Sequence, residues 1–122
     1  MSERAKVVAT VENYLAQLSA QDLEGIMAAY GPEPTVNDPI GSEPKVGREA
    51  VQAFYASILP LKPRGTLLGP VTVVGNVAAF QFKLELTIGD KEVAVCATEW
   101  FVLDGDLLIE TMTAVPDMEA TV

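Results

Sequence analysis

The stretch Phe80-Gln81-Phe82-Lys83-Leu84-Glu85-Leu86-Thr87-Ile88-Gly89-Asp90-Lys91-Glu92-Val93-Ala94-Val95-Cys96-Ala97-Thr98-Glu99-Trp100-Phe101-Val102-Leu103 carries the strongest pattern in the chain. Its first arm sets Phe80, Phe82, Leu84, Leu86 and Ile88 against Gln81, Lys83, Glu85 and Thr87, the period of two expected of a half-buried strand. Gly89-Asp90 then reads as a two-residue hairpin turn. In the second arm the odd positions Val93, Val95, Ala97, Glu99, Phe101 and Leu103 form the more apolar face, with Glu92, Ala94, Cys96, Thr98, Trp100 and Val102 opposite. Glu99 is the lone carboxyl on that apolar face. Two further turn pairs, Gly75-Asn76 and Asp104-Gly105, cut the chain from Thr66 onward into four candidate strands at hairpin spacing, which predicts an antiparallel meander.

Upstream the period changes to 3.6. Val7, Val8, Val11, Tyr14, Leu15 and Leu18 fall on one stripe of a helix over about residues 4–19, so Tyr14 points inward. A second helix is expected to begin at an Asp22 N-cap and to carry Leu23, Ile26, Met27 and Tyr30 until Gly31-Pro32 stops it. A Pro/Gly-rich stretch follows from Gly31 to Gly47, with a short extended piece around Thr35-Val36. Such a segment is too long and too turn-rich for a plain connector. A third helix from about Arg48 shows Val51, Phe54, Tyr55, Ile58 and Leu59 at helical spacing and ends before Pro60. The fold class expected is α+β in a single domain over residues 1–122: three N-terminal helices packed on a curved antiparallel sheet.

Composition narrows the chemistry. The 122 residues include 8 basic and 17 acidic side chains, a formal net charge of −9, one cysteine (Cys96) and no histidine. That excludes Ser-His-Asp and Cys-His catalysis, imidazole metal ligands, thiolate zinc sites and an internal disulfide. No metal and no cofactor are expected, and proton chemistry falls to carboxyls and phenols. An acidic chain without a Lys/Arg stripe also predicts no nucleic-acid or anionic-membrane partner. The N-terminus lacks an apolar signal region and no run is long enough to span a bilayer, so a cytoplasmic location is expected.

Three groups stand out by position: Tyr14 on a buried helical stripe, Asp38 in the Pro/Gly-rich segment, and Glu99 on the core face of a strand. A buried carboxylate is costly unless it is paired or protonated, and a protonated one is a hydrogen-bond donor. Each also has an ordinary reading. Asp38 in Asn37-Asp38-Pro39 is a good turn residue, Tyr14 a good core tyrosine, and Glu99 would reach solvent at a strand end or if the even face were the core.

The segment Thr35-Val36-Asn37-Asp38-Pro39-Ile40-Gly41-Ser42-Glu43-Pro44, with Asp22-Leu23-Glu24-Gly25-Ile26 before it and Phe54-Tyr55 after it, resembles the bacterial Δ5-3-ketosteroid isomerases. These belong to the cone-shaped α+β superfamily that includes nuclear transport factor 2, scytalone dehydratase and the polyketide cyclases. The resemblance runs from Val7 to about Met112. It implies a deep apolar pocket, usually in a homodimer, with a small hydrophobic steroid as substrate. It places the oxyanion tyrosine on Tyr14, the general base on Asp38, and the family's protonated aspartic acid on Glu99. Tyr55 falls on a tyrosine that supports the oxyanion donor, Tyr30 on a third found in some members, and Phe54, Val95, Phe101 and Met112 on the pocket. The activity implied is transfer of the C5–C6 double bond of a 3-oxo-Δ5-steroid to C4–C5 through a dienolate. The alternatives are proton transfer on another cyclic ketone, as in polyketide cyclase-like enzymes, or a non-catalytic module for a hydrophobic ligand. The chain departs from the pattern in three places: Glu99 is one methylene longer than the usual acid, Asn37 replaces an acidic neighbour of the base, and Pro116 stands where an aromatic is common.

Overall fold

A computed structural model describes residues 2–120. Helix α1 spans Glu3–Ser19, α2 Leu23–Ala28 and α3 Arg48–Ile58, the last followed by a 3-10 turn at Leu59–Leu61. The strands are β1 Tyr30–Asn37, β2 Lys45–Val46, β3 Arg64–Leu67, β4 Thr72–Val74, β5 Val77–Ile88, β6 Lys91–Leu103 and β7 Ile109–Asp117. Side chains cap the first two helices where the sequence calls for it: Ser2 accepts from the Ala5 amide and Asp22 from the Gly25 amide. Pro60 lacks an N–H and ends the regular part of α3.

The strands join in one sheet in the order β2-β1-β7-β6-β5-β3, with β4 also paired to β5. The long β5–β6 hairpin is in register from Val77↔Val102 to Ile88↔Lys91 across Gly89-Asp90, whose Gly89 has φ +66°. Such a positive φ suits glycine in a tight hairpin. The helices cover the concave side. Val7, Val11, Tyr14, Leu15 and Leu18 of α1 are buried against the inward residues Phe80, Phe82, Ala97, Phe101 and Met112. Against the alternative register for β6, Val95, Ala97, Glu99, Phe101 and Leu103 are all buried, while the even positions are half-buried or exposed.

Three details differ from the sequence expectation. First, α2 stops at Ala28 and Tyr30 opens β1; Gly31-Pro32 ends the helix two residues sooner than the apolar spacing suggested, because the residue before a proline avoids the helical region. Second, β1 runs parallel to β7 and makes the sheet mixed. Between Tyr30 and Thr35 this strand uses five steps against two of β7, so Gly31 to Pro34 bulge outward and accommodate two prolines that a regular ladder would reject. Third, the first strand of the expected meander is split into β3 and β4, both paired to β5. Among the described residues no helix is long and apolar enough to cross a membrane.

Candidate active site

A cavity of about 230 Å³ lies between α1, α3 and the concave face of the sheet. Tyr14 and Leu18 reach it from α1, and Phe54, Tyr55 and Ile58 from α3. Phe82, Leu84 and Leu86 come from β5, Val95 and Glu99 from β6, and Pro116 and Met118 from the end of β7. Leu61 and Pro63 complete the apolar wall, and Asp38 with Pro39 stands at the end of β1. The ionisable lining side chains are thus two phenols, Tyr14 and Tyr55, and two carboxyls, Asp38 and Glu99, with no lysine or arginine among them.

Glu99 sits where the curvature of the sheet aims it, opposite Phe80 on one side and Ala114 on the other. It is 5% exposed and its Oε1 has no hydrogen-bond partner. Burial first, and the charge of Asp38 second, push its carboxyl well above the usual range. Both causes favour the neutral form of the Glu99 carboxyl, a form that can donate a hydrogen bond. The proton has a consequence for stability. The folded chain holds it to a pH at which the unfolded chain has lost it, so stability from this proton is present below the ordinary carboxylate range and is lost as pH rises through the raised value. Glu99→Gln, which cannot ionise, should gain on the wild type as pH rises. Thermal melts between about pH 4 and about pH 8 should show the gap in Tm moving in favour of the variant, and parallel curves would contradict the assignment.

Three tyrosines form a chain behind the cavity. The Tyr14 and Tyr55 hydroxyls are 2.7 Å apart, and the Tyr55 hydroxyl also bonds that of Tyr30. Two bonds use two of the three hydrogens. Tyr30 does not line the cavity, so a spare hydrogen on it would be buried without an acceptor. Donation from Tyr30 to Tyr55 to Tyr14 places the spare hydrogen on Tyr14, and donation to Tyr55 from both neighbours places it on Tyr55; in each case it lies on a phenol that lines the cavity. Burial, with Glu99 as the next cause, pushes the Tyr14 phenol well above its ordinary value; Tyr30 and Tyr55 are also raised, chiefly by burial. All three stay neutral donors. Tyr55→Phe would cut both bonds at once and strand two buried hydroxyls, at a cost of about 1–3 kcal/mol. Urea unfolding should read that loss, and a stability within a few tenths of wild type would contradict the chain.

Asp38 is half-buried at the cavity edge. Burial raises its carboxyl, and the Lys45 ammonium opposes that rise. The segment is tied down by the Ile40 amide, which donates to the Ala114 carbonyl at 2.8 Å. The preceding Asn37 donates from Nδ2 to the Thr113 hydroxyl at 3.5 Å.

The structure thus brings Tyr14, Asp38 and Glu99 to one cavity, with Tyr55 beside them and Tyr30 behind. Phe54 and Val95 line it as well. Phe101 and Met112 do not: both are fully buried, and Phe101 stands edge-on to Tyr14 at 5.1 Å between ring centroids. Phe101 packs against the Tyr14 ring, Met112 belongs to the buried core, and neither lines the cavity. Leu18, Ile58, Leu84 and Leu86 follow from the same periodicities that place Tyr14 and Glu99. Leu61, Pro63 and Met118 lie where no periodic signal exists, as does Lys45 in its two-residue strand.

The cavity is walled mainly by apolar side chains and has the Tyr14 hydroxyl and the Glu99 and Asp38 carboxyls as polar groups on its lining. The SnoaL-like domain family matches residues 11–111. The chain is 33% identical over 110 residues to a steroid Δ-isomerase of Nocardioides simplex, covering 90% of this chain and 89% of that one. Among solved structures, the epoxide hydrolase/cyclase-like enzyme SalBIII, described for its role in pyran ring formation in the polyether salinomycin, superposes with a TM-score of 0.90 at 21% identity. That superposition covers 97% of this chain and 95% of the other. With its three helices on a curved mixed sheet and a family match over most of its length, this chain belongs to the SnoaL-like, NTF2-like family.

Proposed function

We propose that the protein is a steroid Δ-isomerase acting on 3-oxo-Δ5-steroids without a cofactor. The observation that supports this most is the convergence on one apolar cavity of two neutral donors, Tyr14 and Glu99, and one carboxyl at its edge, Asp38. In this reading ionised Asp38 takes a proton from C4, and the electrons of that C–H bond move into a dienolate. The C3 oxygen gains negative charge and accepts hydrogen bonds from the Tyr14 and Glu99 O–H groups. Protonated Asp38 then returns the same proton to C6, so the C5–C6 double bond is exchanged for C4–C5 and no atom is gained or lost. One carboxylate serves both steps because C4 and C6 flank the same carbon. The two donors are preorganised in a site lined mainly by apolar side chains, where they cost no reorganisation as charge develops.

The test is direct. Purified protein is mixed with 5-androstene-3,17-dione and the ultraviolet absorbance of the conjugated enone is followed. A rise abolished by Asp38→Asn supports the isomerase; an unchanged spectrum removes it. Proton transfer on another cyclic ketone would use the same three groups. A binding module would hold a phenolic steroid such as equilenin while leaving the dione unconverted.

A further inference from the structure

Asp38 lies in the segment that turns from β1 back to β2, and one side chain crosses that turn. Lys45, half-buried in β2 and paired with Val36 of β1, sends its ammonium to the Asp38 carbonyl at 2.8 Å. The same ammonium stands 4.9 Å from the centroid of the Phe54 ring, a side chain that lines the cavity. Ser42 closes the turn from within, donating its hydroxyl to the Pro39 carbonyl at 2.7 Å, but it carries no charge. Among the described residues, Lys45 therefore joins the Asp38 backbone, the cavity wall and a positive charge in a single contact.

We propose that Lys45 is the positioning residue of the base segment, its ammonium fastening the Asp38 carbonyl against the Phe54 wall and setting a positive charge beside the Asp38 carboxyl. This rests on the reading of Asp38 as the base. The other ionisable groups that feel the Asp38 charge are Glu99, Tyr14 and Tyr30, and burial favours the neutral form of all three. Lys45 is the charge that opposes the rise burial gives the Asp38 carboxyl. A base must be both ionised and within reach of the proton it takes, and Lys45 acts on both requirements.

The experiment titrates Asp38 directly. Protein labelled with 13C at the aspartate carboxyl carbon is followed by NMR across pH without substrate, with the Asp38 signal assigned by its loss in Asp38→Asn. In Lys45→Met the midpoint should move to higher pH, and Lys45→Arg should restore most of it. With the dione as substrate, kcat in Lys45→Met should fall about ten-fold while KM stays within about two-fold. The acid limb of the rate profile should move with the NMR midpoint. An Asp38 midpoint unmoved in Lys45→Met overturns the proposal. So does an equal loss in the Met and Arg variants with an unmoved acid limb, which would mark an ordinary packing contact. Should the wild type fail to convert the dione, the isomerase reading fails while the NMR midpoint still decides the role of Lys45. If Lys45→Met does not give a folded spectrum, Lys45→Gln takes its place in the same titration.

Discussion

Asp38→Asn should lower kcat for the dione by at least about 10³-fold with KM changed by less than about three-fold. Positioned general bases contribute about 10² to 10⁴ in rate, and in the proposed mechanism the same carboxylate both takes the proton and returns it, so the loss belongs in the upper part of that range. The amide has the shape of the carboxyl, and the ties that hold the segment are made by backbone atoms, the Ile40 amide to Ala114 and the Asp38 carbonyl to Lys45. The variant should therefore fold and bind as before, a change in kcat without a change in KM. The wild type should also show an acid limb in its rate profile. In the proposed mechanism the active form is ionised Asp38, and burial raises its carboxyl above the ordinary range. Activity is accordingly present above that raised value and lost as pH falls through it. Residual activity above about one tenth of wild type in Asp38→Asn would mean that another group takes the proton.

The parts of this site legible in the sequence are those that local periodicity determines. Strand alternation over residues 91–103 placed Glu99 inward, and its burial among Val95, Ala97 and Phe101 follows from that alone. Helical spacing placed Tyr14 and Tyr55 in the same way. Asp38 was different. Its place at the cavity edge depends on β1 pairing in parallel with β7, some seventy-five residues away in sequence by the Val36↔Met112 register, and on a bulge that carries two prolines past the ladder. No local pattern encodes that: its place in the Pro/Gly-rich segment singles Asp38 out, but the role of base comes only from the family resemblance. The same limit explains Phe101 and Met112. Alternation shows which face a residue is on, but whether it touches the cavity or lies beneath it depends on where Tyr14 crosses the sheet.

Tyr14→Phe should lower kcat by about 10² to 10³-fold, the usual consequence of removing one oxyanion donor. The substitution keeps the ring, and with it the edge-on contact to Phe101 at 5.1 Å. The activity lost then measures the hydroxyl and not the packing. KM should change little, because a neutral ketone gains far less from the donor than the dienolate does. The phenol is held neutral by burial and by Glu99, so removing it should leave the acid limb, which belongs to Asp38, where it was. Tyr55 loses a hydrogen-bond partner, and part of any stability change comes from that source. A kcat loss below about ten-fold would mean that Glu99 carries the oxyanion alone or that the ketone lies elsewhere in the cavity. A shifted acid limb would instead tie Tyr14 to the ionisation of Asp38. The two results separate a donor that stabilises the developing charge from one that only shapes the field around the base, and the first is what the proposed mechanism requires of Tyr14.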